Sequence, residues 1–172
     1  MQANKLNVLL DASPLITLCA YRVARQPLIQ GLLTYLDITV IDRVAAEVVG
    51  DRNTPDAHVA RRLIRDGVIQ VVPVPTLADV EDFYNSDPAD FGTITLAIQR
   101  PALLPIFDDK AAFITAVHYD LRPVFLLDLI VLLVKRHGLP AQTALNMVES
   151  AAKRFPEGHV AHTMARLEGN RR

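Results

Sequence analysis

Five aspartates in this 172-residue chain stand directly after short aliphatic runs. Asp11 follows Val8-Leu9-Leu10, Asp42 follows Val40-Ile41, Asp108 and Asp109 follow Leu104-Pro105-Ile106-Phe107, and Asp128 follows Val124-Phe125-Leu126-Leu127. Runs of this kind read as buried strands, and in an open parallel sheet ligands bind beyond the carboxyl ends of the strands. Four strands then deliver carboxylates to one edge. Taken singly, each aspartate reads as a helix N-cap, because each precedes a helical stretch. Taken together, carboxylates gathered on one edge raise one another's pKa unless a cation sits among them, and the natural one is a hard divalent ion, Mg²⁺ or Mn²⁺. Glu47 lies one step off the apolar stripe of Val44, Val48 and Val49, and points either to solvent or along the sheet edge. The chain has no Gly-rich phosphate loop, no His-Glu-x-x-His helix and no Gly-x-Ser-x-Gly elbow, so those routes to nucleotide, peptide or ester hydrolysis are unsupported.

The elements that must hold these acids follow from periodicity. Strands are predicted at Asn7–Leu10, Ile38–Ile41, Ile69–Val72, Leu103–Phe107 and Val124–Leu127, nearly all apolar, as expected for parallel strands buried on both faces. Helices are predicted at Pro14–Arg25, Pro27–Tyr35, Arg43–Gly50, Pro55–Asp66, Leu77–Phe83, Phe91–Gln99, Lys110–His118 and Leu129–His137. Beyond Gly138 the pattern stays helical, at Ala141–Phe155 and His159–Leu167. The expected architecture is α/β, a three-layer sandwich around a parallel sheet of about five strands with a helical C-terminal extension. We divide the chain at 1–139 and 140–172, the second part packed on the first.

Composition agrees with an ordinary globular domain: 51% of residues are hydrophobic and 22% charged. The 18 Lys and Arg against 19 Asp and Glu leave a net charge of −1, so a polyanion must be met by a local patch. The single cysteine, Cys19, excludes an internal disulfide and a cysteine-based zinc cluster, and reads as core packing. The polar start, Met1 to Lys5, lacks the order of a secretory signal, and Val124 to Val134 is too short to span a bilayer, so a cytoplasmic location is expected.

At four blocks the chain resembles a PIN domain: Val8-Leu9-Leu10-Asp11-Ala12-Ser13-Pro14-Leu15-Ile16, Val40-Ile41-Asp42-Arg43-Val44-Ala45-Ala46-Glu47-Val48, Asp90-Phe91-Gly92-Thr93-Ile94-Thr95-Leu96-Ala97 and Phe107-Asp108-Asp109-Lys110-Ala111-Ala112. The nearest likeness is to the bacterial PIN-like toxins of toxin–antitoxin pairs. The resemblance implies a ribonuclease whose acids hold Mg²⁺ or Mn²⁺ and activate water against a phosphodiester. It implies Asp11 as the first metal ligand, Ser13 as a partner of metal-bound water or phosphate, Glu47 as the helical acid, and Asp108 or Asp109 as the last acid. Asp42 matches no functional position and stays a helix cap. The third block departs from the family, because Thr93 stands where relatives carry glutamate. A hydroxyl can bond a coordinated water but brings no charge. Asp90 and Asp128 are the acids placed to compensate.

Phosphate contacts are sought among the basic groups. Arg61 and Arg65 are the pair that could flank a cleft, whereas Arg62, Lys135-Arg136, Lys153-Arg154 and Arg171-Arg172 read as solvated faces. Phe83 and Tyr84 could stack on a base, and His159 and His162 share a helix face at metal-binding spacing without a third ligand. The stripe Ala144, Met147, Val148, Ala151, Ala152 and Phe155 either covers the sheet or buries a partner helix. Expected partners are RNA, an antitoxin protein and a second copy of the chain. The rival expectation is a catalytically silent PIN-like module that binds RNA or protein. A DNA-directed nuclease is the third.

Overall fold

The computed structural model describes residues 5–74 and 88–169. Five strands form one all-parallel sheet: β1 (Leu6–Leu10), β4 (Leu36–Ile41), β5 (Ile69–Val72), β6 (Leu104–Phe107) and β7 (Val124–Phe125). Their order across the sheet is β5-β4-β1-β6-β7. Central β1 pairs Leu6 with Leu36 on one side and Leu10 with Ile106 on the other. Val8, Leu9 and Leu10 are fully buried, which is why this run carries no alternation. The predicted α/β class is therefore the observed one.

The crossovers are α1 (Ala12–Ala20), α2 (Leu28–Leu32), α3 (Asp42–Val49), α4 (Pro55–Arg65), α5 (Pro88–Gln99) and α6 (Lys110–His118). Proline opens α4 at its first position, where the missing N–H costs nothing. The predicted helix Leu77–Phe83 lies outside the described residues.

Two predictions are corrected. The stretch Pro14–Arg25 is not one helix: α1 stops at Ala20, and Arg22–Val23 and Gln26–Pro27 form a small antiparallel hairpin, β2 and β3, before α2. Its two turn residues, Ala24 and Arg25, take φ of 48° and 68°, a left-handed turn that their side chains do not advertise. The last strand is also shorter than expected, since Leu126 and Leu127 already belong to α7 (Leu126–His137). Gly138 ends α7 with φ of 77°, a conformation glycine enters without strain.

The C-terminal part comprises α8 (Ala141–Ala151), a 3-10 turn (Ala152–Arg154) and α9 (Glu157–Gly169). Ala144, Met147, Val148 and Ala151 are buried within the chain, and the Met147 methyl sits against Gly31 of α2. The stripe therefore covers this chain's own core.

Candidate functional site

Strand order creates a crevice. From β1 the chain leaves through α1 towards β4 and β5, whereas from β6 it leaves through α6 towards β7, so the connections part between the adjacent strands β1 and β6. Such a switch point is where open α/β sheets bind ligands. Asp11 and Asp108 stand on its two sides.

Asp11 directly follows β1, and its backbone N–H donates to Ile106 O of β6 at 3.2 Å. Its side chain is 4% exposed and makes no cap hydrogen bond to α1, so the capping reading does not account for this residue. Asp108 Oδ1 accepts the Leu126 N–H at 3.2 Å, while Oδ2 is buried without a hydrogen-bond partner. Burial pushes the Asp108 carboxyl above its ordinary range, opposed by the Leu126 N–H and then by the charges of Arg154 and His159. A buried carboxylate oxygen left unsatisfied is costly, and natural proteins rarely keep one without use.

The neighbouring acid behaves differently. Asp109 is exposed, and its Oδ1 accepts the Ala112 N–H at 2.9 Å, a true N-cap of α6. Glu47 sits on the exposed side of α3. Thr93 is fully buried in α5. The glycine before it explains the close approach of α5: a Cβ at Gly92 would lie 2.5 Å from the Ile41 side chain at the end of β4. Asp90 belongs to the first turn of α5. Asp42, expected to cap, instead accepts N–H bonds from Arg43 at 2.7 Å and from Val74 at 3.2 Å, tying the chain after β5 to the start of α3.

Asp128 does not end a strand. It lies in the first turn of α7, hydrogen-bonded and ion-paired to Arg166, with His159 Nε2 at 3.7 Å from its other oxygen. The His159 ring meets Phe125 and Phe155 edge-on, with centroids 5.8 and 6.4 Å away. Beside it, Arg154 Nη2 reaches Ser13 Oγ at 3.5 Å, two residues from Asp11. The C-terminal helices thus bring Arg154, His159 and Arg166 to the acidic edge, a cationic side that sequence reasoning missed. Lys153-Arg154 had only the signature of a solvated pair, and no local pattern encodes a contact across 141 residues.

The expected phosphate pair is corrected. Arg61 Nη2 donates to the carbonyls of Val49, Gly50 and Arg52 at 2.6, 3.3 and 3.2 Å, closing the C-terminus of α3. Arg65 pairs with Asp66 at 2.9 Å, four residues before β5 begins, and so belongs to the amino edge of the sheet, opposite the acids. Phe83, Tyr84 and Arg171-Arg172 lie outside the described residues. Cys19 is fully buried, and burial, then the Asp56 charge, pushes its thiol up to about 12, as the core reading requires.

Among the described residues, no three His, Cys, Asp or Glu side chains form a group able to enclose a metal ion. Mg²⁺ does not need such a cage: it keeps several waters and is commonly held by one or two carboxylates together with substrate phosphate. Asp11 and Asp108 fit that requirement, and the unsatisfied Asp108 Oδ2 is an atom a cation would satisfy.

A PIN-domain family model matches residues 7–168, a span that includes the C-terminal helices. This chain belongs to the PIN-domain family, whose members are generally nucleases that use divalent metal ions. No curated protein and no solved structure matches the chain. No helix among the described residues is long and apolar enough to cross a membrane.

Proposed function

We propose that this protein is a metal-dependent endoribonuclease and, by its likeness to PIN-like toxins, the toxin half of a toxin–antitoxin pair. One observation carries the reading: the buried carboxylate of Asp11 and the half-buried one of Asp108 flank the switch-point crevice, and Asp108 has a buried oxygen with no hydrogen-bond partner. Asp11 and Asp108 would hold Mg²⁺ or Mn²⁺, with Glu47 as an acid at the rim. The ion, when bound, lowers the pKa of its water and steadies charge on phosphate.

The chain's own residues supply the rest. Arg154, beside Ser13, offers a guanidinium to a phosphate oxygen lying over the crevice, with the Ser13 hydroxyl as a second donor. Thr93, buried in α5, contributes no charge where relatives have an acid, which leaves the metal more dependent on Asp11 and Asp108. Asp128 is neutralised by Arg166 and supports the wall rather than the ion. Asp109 fixes the start of α6 behind Asp108.

A second reading, a silent PIN-like binding module, is favoured by Thr93 and by the lack of a three-acid group among the described residues. The deciding experiment incubates the protein with mixed single-stranded and structured RNA, with Mn²⁺ or EDTA, beside Asp11→Asn. Cleavage that needs Mn²⁺ and disappears in the variant supports the nuclease. Intact RNA together with no calorimetric Mn²⁺ binding supports the silent module.

A further inference from the structure

A second concave site lies away from the acids. A cavity of about 650 Å³ opens between the β2–β3 hairpin and α4, with Arg22, Arg25, Gln30, His58 and Arg62 in its wall. Three guanidinium groups share it, and among the described residues none pairs with a carboxylate. In a chain of net charge −1, this is a local concentration of positive charge of the kind a polyanion requires.

The cavity is built rather than incidental. Arg22 Nη1 donates to Arg25 O at 3.1 Å, bracing the turn. That turn holds Ala24 and Arg25 at positive φ, where Asn-Gly would be the relaxed choice. Ser150 Oγ of α8 donates to Arg22 O at 2.7 Å and pins the hairpin to the C-terminal helices. Both His58 ring nitrogens are engaged, Nε2 with Asn53 at 2.8 Å and Nδ1 with Arg61 at 3.2 Å, so His58 is wall and the arginines are the donors. Strain retained to present an arginine points to a ligand.

We propose that this cavity binds the phosphate backbone of RNA as a contact remote from the cleavage crevice, a proposal that rests on RNA being the substrate. Guanidinium groups match phosphate oxygens in bidentate geometry. Among the described residues the wall holds no Phe, Tyr or Trp, and its one ring, His58, is tied at both nitrogens to Asn53 and Arg61, so recognition should follow charge and not sequence. The helix α1, with nine residues, begins beside Asp11 and ends at this hairpin, which separates the two sites by about 14 Å of helix rise. One strand of a few nucleotides beyond the scissile position can bridge them.

The test measures anisotropy of a labelled RNA of about 20 nucleotides, longer than a single-domain site, in EDTA across a salt series. It compares wild type, Arg25→Glu with Arg62→Glu, and a control carrying the same charge change on α7, Lys135→Glu with Arg136→Glu. The cavity variant should bind about tenfold more weakly at low salt, with a log–log salt slope shallower by about 1.4 for two lost phosphates on a single strand. Arg25→Gln with Arg62→Gln should lose less in the same direction. Equal affinity of the cavity and control variants overturns the proposal. So does a polyglutamate peptide that binds wild type as tightly as RNA does, which would make the cavity a site for acidic polypeptide. If wild type cleaves no RNA yet the cavity variant loses RNA binding, only the nuclease reading fails. If wild type cleaves and both variants bind alike, only the cavity proposal fails.

Discussion

Asp108 and Asp128 sit on either side of the short strand β7, yet the fold treats them in opposite ways. Asp128 meets Arg166 and His159 supplied by α9, so its charge is neutralised within the chain. Asp108 receives one backbone N–H, keeps a buried oxygen without a hydrogen bond, and has its carboxyl pushed up by desolvation. Residue type and position after an apolar run are the same, so neither distinguishes structural from chemical acids. Compensation by the rest of the chain does. An acid paired by short contacts within the chain is part of the wall, and one that keeps a buried oxygen without a hydrogen bond has capacity left for a ligand.

The sharpest way to break this contrast is by matched substitutions. Asp108→Asn and Asp11→Asn should each reduce Mn²⁺-dependent RNA cleavage by about 10²-fold or more, the scale of losing a preorganised electrostatic contact in the transition state. Asp128→Asn should keep cleavage within about tenfold but lose about 1 kcal/mol in denaturant unfolding, because Arg166 is left without its partner at a half-exposed site. Equal kinetic losses for Asp108 and Asp128 would remove the distinction.

Next comes Arg154, the guanidinium beside Ser13. Arg154→Ala should raise KM for RNA by roughly tenfold while leaving calorimetric Mn²⁺ affinity within about twofold, and Arg154→Lys should restore part of the loss as a point charge without the fork. Unchanged KM would return Arg154 to the role of a surface residue.

Thermal melting in EDTA sharpens the same comparison. Because the folded-state pKa of Asp108 is raised, its protonated form favours folding. That contribution is fully present below the unfolded value of about 3.9 and is lost as pH rises through the folded value. At neutral pH, above the unfolded value, the buried acid costs folding stability that an amide does not, so Asp108→Asn should melt higher than wild type there, with the difference shrinking as pH falls. Added Mn²⁺ should stabilise wild type and leave Asp108→Asn unmoved. A lower melting temperature for Asp108→Asn at neutral pH would contradict the reading.

The smallest effect is expected in the core. Cys19, with its thiol raised to about 12, should stay unreactive to a thiol reagent in the native protein and react only on unfolding.

Much of this was legible in the chain. The central strand stood out because Val8-Leu9-Leu10 is buried on both faces and carries no polar residue, and the edge strand Ile69–Val72, with Gln70 and Val71 exposed, and the helix Lys110–His118 were read to their exact ends. Asp11 was legible as well, as an acid after the central strand. The hairpin was not, because Ala24 and Arg25 adopt a turn against their own preferences. Nor was the division of labour between Asp108 and Asp109, which depends on which oxygen meets Ala112 and which meets Leu126. Arg61 misled for a related reason: helical spacing gives the face of a residue, while its three carbonyl partners come from the end of α3 and the loop after it.

The contact between Arg154 and Ser13 joins residues 141 apart. At ribosomal speeds of about 5–20 residues per second, roughly 7 to 30 seconds pass between the making of one and the other. During that interval a nascent chain can form the acidic crevice of β1 and, later, β6, while the arginine wall is still unmade. Full assembly of the site is therefore timed by translation: the acids at the strand ends are made first, and the guanidinium that faces them joins only later.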